Sequence, residues 1–475
     1  MKKKTMKSIL LRLLVGVLTI SPLSQLYAQS FKPTDESFKQ YKYPDWFRDA
    51  KFGIFIHWGV YSVPAWGPTG DSIGVYDKYA EWYWQKMDEP GKIQKYFKDF
   101  HTKTYGPNFR YQDFAPMFKA ELFDPDKWAE LFKESGAKYV VLTSKHHEGF
   151  ALWPSAQSWN WNSVDIGPHR DLCGDLSSSV KNRGLRMGFY YSLYEWYNPL
   201  YRTNFPAYIN DHMMPQIKDL VTRYSPDILW TDGEWEKTSK DWKSEEFLAW
   251  LFNDSPVKNN IVVNDRWGSE TRSKHGGIYT TEYGLVGDKE GIDNVVPHPW
   301  EECRGIGTSF GFNRTEGLSD YSTPKQLIKL LVSTVAAGGN LLLDIGPAAD
   351  GTIPVIMQQR LLEMGQWLKI NGEAIYGTRA FIKTKKDEEI NPGTNKSVYF
   401  TQKNNDVYVI CLAWPEKGII LRGVRPANKV EAVMLGNKGR VLVKRTADDL
   451  VLTAPLLTPD DFQNAYVFKI SGIIK

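Results

Sequence analysis

Two adjacent histidines, His146 and His147, end an apolar run in "KYVVLTSKHHEGFALWP" (residues 138–154), and Asp232 and Glu234 end another in "PDILWTDGEW" (226–235) beside Trp230. Histidine pairs at such a position serve as metal ligands, as a catalytic base and its neighbour, or as polar residues capping a strand. A metal site would have to recruit His57, His146, His147 and Asp232. Against it, "HHEGF" lacks the second spaced histidine of the HExxH pattern, so neither a metal nor a cofactor is expected. "GPAADG" and "GIGTSFG" contain glycines but not the Lys-Ser/Thr of a P-loop or the full GxGxxG pattern, and the acidic spacing of "DGEWEK" does not match a calcium loop.

The elements that must hold these residues recur with a clear rhythm. Apolar runs suited to buried parallel strands occur at 52–59, 138–147, 186–194, 227–235, 260–268, 278–284, 303–312 and 340–347. Amphipathic segments lie between them, such as "DPDKWAELFKESGA" (124–137) and "TPKQLIKLLVSTVAAGG" (323–339), with Asp or Thr at the start and Gly near the end. Eight strand and helix alternations predict an α/β fold, a (β/α)8-like (TIM) barrel over residues 29–375, irregular in its sixth and seventh units. After residue 375 the texture changes to short strands divided by turns, from "SVYFTQ" to "AYVFKIS", which predicts a C-terminal antiparallel β-sandwich over 376–475.

Active sites of such barrels sit at the C-terminal ends of the strands. Those ends carry His57 and Trp58, then His146, His147 and Glu148, then Tyr190 and Tyr191. Trp230, Asp232 and Glu234 follow, then Asp265 and Arg266, Glu282 and Tyr283, and Phe310. Carboxylates for acid, base or nucleophile work, His and Arg for hydroxyl groups, and aromatic planes for stacking are what a sugar pocket requires. With 18 Trp and 25 Tyr, the composition agrees.

In order, "KFGIFIHWGVYSVPAWG" (51–67), "YAEWYW" (79–84), "KYVVLTSKHHEGFALW", "PDILWTDGEW", "VVNDRWG" (262–268), "TTEYG" (280–284), "PWEECRGIGTSFGFN" (299–313) and "GGNLLLDIGPAADGTI" (338–353) resemble the signature blocks of glycoside hydrolase family 29, the α-L-fucosidases. The resemblance runs from about residue 35 to 372, and the sandwich region fits the family's C-terminal domain. It implies an exo-acting, retaining hydrolase that removes terminal α-L-fucose from an oligosaccharide or glycoconjugate. Asp232 falls on the nucleophile, and Glu282 matches the acid/base, with Glu301, Glu302 and Glu81 as rivals. His57, His146, His147, Tyr191 and Arg266 match positions that hydrogen-bond fucose, and Glu81 is directed at the sugar or its vicinity. Trp82, Trp230 and Phe310 match wall residues, and Tyr190 competes with Tyr191 by one register step. The alternatives are a transfucosylase, in which a sugar replaces water, and another exo-glycosidase on the same scaffold.

The N-terminus, "MKKKTMKSILLRLLVGVLTISPLSQLYAQS", has a Lys-rich start, an apolar stretch and a small residue at Ala28, so residues 1–28 read as a secretory signal peptide. A periplasmic or secreted protein is therefore expected. No later segment reaches the roughly 18 to 20 uninterrupted apolar residues of a membrane helix, so no membrane association is expected after cleavage. The leader supplies five basic residues and no acid toward a net charge of +4, so the remainder is close to neutral. Nothing in that balance calls for nucleic acid. Cys173, Cys303 and Cys411 lie far apart and suit buried thiols better than a disulfide framework.

Overall fold

The computed structural model describes residues 30–273, 277–283, 298–381, 397–422, 429–446 and 449–473. The expected leader lies outside the described residues. Eight parallel strands form one sheet: β1 (Phe52–Ile56), β2 (Tyr139–Lys145), β3 (Arg186–Ser192), β4 (Ile228–Asp232), β5 (Val262–Val263), β6 (Tyr279–Glu282), β7 (Trp300–Gly305) and β8 (Asn340–Ile345). Their order is β5-β4-β3-β2-β1-β8-β7-β6. A single parallel bridge between Asn264 and Ile278 joins the two ends, so the sheet curls into a ring.

Alternation along the strands divides the molecule into two apolar layers. Phe55, Val141, Tyr190, Ile228, Trp230, Val262, Ile278, Cys303 and Leu342 meet inside the ring. Their neighbours Ile54, Ile56, Val140, Leu142, Leu341 and Leu343 face out against the surrounding helices, where Trp128, Phe132, Leu176, Ile217, Leu327 and Leu331 cover them. Local chemistry sets those helices. Asp124 caps Pro125–Glu134 by accepting from the N–H groups of Asp126 and Lys127, and Thr323 opens Pro324–Ala336 with a capping box to Gln326.

The irregularity sits at the β5–β6 seam, and so touches the sixth unit as expected but not the strand of the seventh. β5 stops after two residues because the Asn264 side chain takes over its pairing with β4. The Asn264 amide donates to the Thr231 carbonyl at 2.7 Å, and its oxygen accepts from the Thr231 hydroxyl at 2.8 Å. The chain returns through Gly277, where a Cβ would stand 1.8 Å from the Asn264 carbonyl oxygen, so only glycine allows the bridge. β7 is regular and begins at Trp300, three residues earlier than the run at 303–312 suggests, which puts Glu301 and Glu302 in the body of the strand.

Downstream, the expected short strands are present as β10 (Val398–Lys403), β11 (Asp406–Cys411), β12 (Ile419–Arg422), β13 (Glu431–Met434), β14 (Leu442–Arg445), β15 (Asp449–Thr453) and β16 (Tyr466–Ser471). A two-residue strand, β9 (Arg379–Ala380), joins them. They form antiparallel sheets of order β13-β16-β11-β10-β9 and β12-β15-β14. Val409, Phe468 and Ile470 of the first pack on Ile419, Leu421, Leu450 and Leu452 of the second. The first sheet's other face joins the barrel core through Tyr408, Ile410 and Val467, and the Trp367 indole N–H donates to the Ala465 carbonyl at 2.9 Å. The three cysteines are free and buried. Among the described residues, no helix is long and apolar enough to cross a membrane.

Candidate active site

A cavity of about 450 Å³ opens at the C-terminal ends of the barrel strands. His57, Glu81, Trp82, His146, His147, Trp230, Asp232, Arg266, Glu282 and Phe310 all line it.

Both histidines that follow β2 reach this cavity because the strand breaks its pleat there. Adjacent residues of a regular strand point to opposite faces. β2 slips in register against β3 between Thr143 and Lys145, and a turn follows in which the Gly149 N–H donates to the His146 carbonyl at 3.1 Å. Gly149 itself has φ +82°, a left-handed conformation that glycine adopts without strain. The two imidazoles end with centroids 4.1 Å apart. Among the described residues, no group of three or more His, Cys, Asp or Glu is arranged to hold a metal ion.

Hydrogen-bond partners behind two of the rings set their polarity. The Ser192 hydroxyl spends its proton on the Tyr194 carbonyl at 2.6 Å, so it must accept from His147 Nδ1, also at 2.6 Å. Burial, reinforced by His146, lowers the His147 pKa well below the ordinary value. The ring is thus neutral, with a lone pair on Nε2 facing the pocket. His57 Nδ1 lies 2.6 Å from Asp344 Oδ1 at the end of β8, and burial depresses His57 in the same way. His57 is thereby fixed with Nε2 toward the cavity. His146 Nδ1 has no protein hydrogen-bond partner and sits 3.6 Å from Glu148 Oε2.

Asp232 ends β4 and is held through both carboxylate oxygens. Its Oδ2 accepts from the Tyr190 hydroxyl at 3.0 Å and its Oδ1 from Arg266 Nη1 at 2.7 Å. Arg272 Nη2 is 3.6 Å from the same Oδ1. Burial alone would raise the carboxyl pKa, but the charges of Arg266 and Arg272 outweigh it and hold Asp232 below the usual carboxylate range. It is an anion throughout the neutral and mildly acidic range. Arg266 is fixed in turn by donating to Thr280 Oγ1 at 2.9 Å and by lying 4.3 Å over the Trp230 ring. The same Nη1 that holds Asp232 is 2.6 Å from Glu282 Oε1.

The carboxylates differ in depth. The Asp232 side chain is 10% exposed and that of Glu282 23%. Glu301 and Glu302 do not line the cavity. Glu301 sits behind Trp230, accepting from its indole N–H at 3.1 Å and from the Tyr139 hydroxyl, and burial pushes its pKa up to about 7. Glu302 accepts from Arg304 Nε at 2.6 Å, and burial likewise raises it to about 7. Glu81 lines the wall, with Oε2 accepting from the Gly311 N–H at 2.8 Å and from the Ser309 hydroxyl at 3.2 Å. Burial raises its pKa. Phe310 stacks on His57 at 5.0 Å and 22°, and with Tyr79 and Phe55 it forms the apolar corner of the pocket.

The expected placement of Tyr191 is corrected. Its ring points out of the barrel, and its hydroxyl donates to Gln216 Oε1 at 2.8 Å. Tyr190 takes the pocket position because β3 alternates Gly188, Tyr190 and Ser192 inward and Phe189 and Tyr191 outward, opposite Trp230 and Thr231 of β4. Tyr190→Phe should lower kcat/KM on an aryl glycoside about 10-fold through loss of one hydrogen bond to a charged group, roughly 1.5 kcal/mol. Tyr191→Phe should leave kcat and KM unchanged and register only in thermal unfolding. A larger kinetic loss in Tyr191→Phe would reverse the assignment.

Several lining residues escape a reading of strand ends. Tyr76, Tyr79 and Lys86 come from the long excursion between β1 and β2, and Arg272 from the stretch after β5. None carries a periodic signal. Trp235 could have been read from "WTDGEW", where it follows Asp232 by three residues.

Models of known families and known proteins match this chain over most of its length. The alpha-L-fucosidase model matches residues 19–373, and the alpha-L-fucosidase C-terminal domain model matches 391–471. An alpha-L-fucosidase of Dictyostelium discoideum is 42% identical over 472 residues, 95% of this chain and 97% of that one. The tissue alpha-L-fucosidase of Homo sapiens is 43% identical over 442 residues, 90% and 89% of the two chains. The crystal structure of Thermotoga maritima alpha-fucosidase with a mechanism-based inhibitor superposes with a TM-score of 0.77 at 38% identity, covering 93% of this chain and all of that one.

Proposed function

The chain belongs to glycoside hydrolase family 29, the alpha-L-fucosidases, and from that premise we propose that it is an exo-acting, retaining α-L-fucosidase in which Asp232 is the nucleophile and Glu282 the general acid/base. The observation that carries this reading is the Arg266 bridge. One nitrogen 2.7 Å from Asp232 Oδ1 and 2.6 Å from Glu282 Oε1 keeps the two oxygens no more than about 5.3 Å apart, which supports the close carboxyl pair of a retaining enzyme, roughly 5 to 5.5 Å, over a wider one. An inverting pair stands wider, to leave room for a water between sugar and base.

The difference in depth supports the division of labour. Asp232 is deep and anionic, and its carboxylate attacks the anomeric carbon as the glycosidic bond breaks, forming a fucosyl-enzyme ester. Glu282 stands nearer the mouth, where it meets the leaving oxygen and donates a proton to it. In the second step Glu282 takes a proton from water, whose oxygen displaces Asp232 and releases fucose. Arg266 and the Tyr190 hydroxyl hold Asp232 in place and disperse its charge. The neutral His147 presents Nε2 as an acceptor for a sugar hydroxyl, and His57 and His146 supply further ring nitrogens. Phe310, Tyr79 and Phe55 offer the apolar corner that the fucose methyl group needs. The substrate is a fucosylated glycan, met after export by the N-terminal leader.

Two displacements at one carbon preserve its configuration, and one inverts it. Proton NMR of the first turnovers on p-nitrophenyl α-L-fucoside should show α-fucose accumulating before mutarotation. β-Fucose as the first product would exclude the nucleophile role of Asp232.

A further inference from the structure

Glu234, two residues beyond Asp232, has no part in the reaction described above and lies behind the cavity wall. The chain reaches it through Gly233, whose φ of +77° turns the backbone at the end of β4, and a Cβ there would stand 2.7 Å from that of Tyr194. The Trp242 indole N–H donates to the Glu234 carbonyl at 3.1 Å and holds the turn. The Glu234 side chain is 1% exposed. Its Oε1 accepts from Arg272 Nε at 2.5 Å, and among the described residues its Oε2 has no hydrogen-bond partner. Burial and the charge of Asp232 raise the Glu234 pKa, and Arg266 and Arg272 oppose that rise. A buried carboxylate is costly unless a cation compensates it, and Arg272 is that cation.

Arg272 has a second neighbour. Its Nη2 stands 3.6 Å from Asp232 Oδ1, beyond hydrogen-bond length, whereas Arg266 Nη1 bonds the same oxygen at 2.7 Å. Backbone anchors on both sides seat Arg272, since the Thr271 hydroxyl donates to the Asp265 carbonyl at 2.6 Å and the Ser273 N–H to Asp265 Oδ2 at 2.8 Å. Its own side chain is 40% exposed, and the bond to Glu234 fixes the guanidinium. Charges in this group balance. Asp232 and Glu234 stand against Arg266 and Arg272 when Glu282 carries the proton it is to donate. Neutralising Glu234 leaves one positive charge too many beside Asp232, and neutralising Arg272 one negative charge too many. Buried charges at this range are weakly screened.

From this geometry we infer that Glu234 is a positioning residue that anchors Arg272 beside the nucleophile without letting it close on it. The inference rests on Asp232 being the nucleophile. A guanidinium bonded to Asp232 in addition to Arg266 would hold back the electron pair that attacks the anomeric carbon. No second cation at all would make the carboxylate a poor leaving group when water displaces it. The Glu234–Arg272 pair therefore sets the balance between the two half-reactions.

The test separates those halves with 2-deoxy-2-fluoro-α-L-fucosyl fluoride. Asp232 displaces fluoride from it to form a slowly hydrolysed ester, and water then displaces the carboxylate and frees the enzyme. Glu234→Gln should slow trapping about 5- to 20-fold while reactivation is unchanged or faster. Arg272→Gln should do the reverse, slowing reactivation about 5- to 20-fold with trapping unchanged or faster. The double variant, in which charge is balanced again, should return both rates to within about 3-fold of the unaltered enzyme. Arg272 is partly exposed, so its replacement tests the inference even where Glu234→Gln fails to fold. Equal slowing of both half-reactions in the single variants, or no change in either, would overturn the positioning role. Absence of the fluorofucosyl ester on Asp232 of the unaltered enzyme, read by mass spectrometry, would instead remove the nucleophile reading, and this inference with it.

Discussion

Asp232→Asn should lower kcat/KM on p-nitrophenyl α-L-fucoside by about 10,000-fold, equivalent to about 5.4 kcal/mol of transition-state stabilisation. The substitution keeps the size of the side chain and one acceptor oxygen for Arg266, while its amide N–H can donate to the Tyr190 hydroxyl oxygen, so the barrel core around Trp230 is undisturbed. What it removes is the anion that, in the proposed mechanism, forms the ester, and an amide is a poor nucleophile. Fucose binding, followed by calorimetry, should survive, because the histidines, Trp82 and Phe310 that line the cavity remain. The smaller Asp232→Gly leaves space for azide, which would attack once and yield the β-fucosyl azide. Near-normal turnover in Asp232→Asn would sink the nucleophile assignment.

The second large effect is expected at Glu282, and its signature is dependence on the leaving group. Glu282→Gln should cost roughly 100- to 1,000-fold on a fucosylated oligosaccharide, whose alkoxide leaves only when protonated. On p-nitrophenyl fucoside, bond cleavage needs little protonation, so the fucosyl-enzyme should accumulate, and azide should restore turnover. The product should be the α-fucosyl azide, since two displacements take place. Opposite configurations from Asp232→Gly and Glu282→Gln would therefore separate the two roles in one assay. An unchanged Glu282→Gln would move the acid/base elsewhere. Glu301 and Glu302 are poor replacements, since one is held behind Trp230 and Tyr139 and the other by Arg304, and neither lines the cavity. Glu81, which does line it, would become the first candidate.

Much of this was readable before any coordinates. The eight apolar runs located the barrel strands because a strand covered on both faces must be apolar throughout. Short runs divided by turns marked the sandwich strands. The polar residues that interrupt the runs, His57, His146, Asp232 and Arg266, had to lie at strand ends, since the ring interior has no solvent to offer them. β7 begins three residues before the run at 303–312, because Glu301 and Glu302, charged residues in the strand body, find partners there in the Trp230 indole and Arg304.

By itself, then, the amino-acid sequence determined the strand and helix rhythm and the sandwich that follows it, both of which depend on local periodicity and residue type, and the order of its signature blocks pointed to the family. Tertiary structure decided which of Tyr190 and Tyr191 faces the pocket, since that turns on the parity of β3 against β4, and two adjacent tyrosines fit either parity. It also decided that His146 and His147 point the same way, through a bulge that no residue pattern announces. Above all it brought Arg266 between Asp232 and Glu282, 34 residues from the first by sequence and 2.7 Å from it in space. Periodicity is a property of neighbours along the chain. A shared proton donor between two carboxylates is a property of ring closure, and only the folded barrel possesses it.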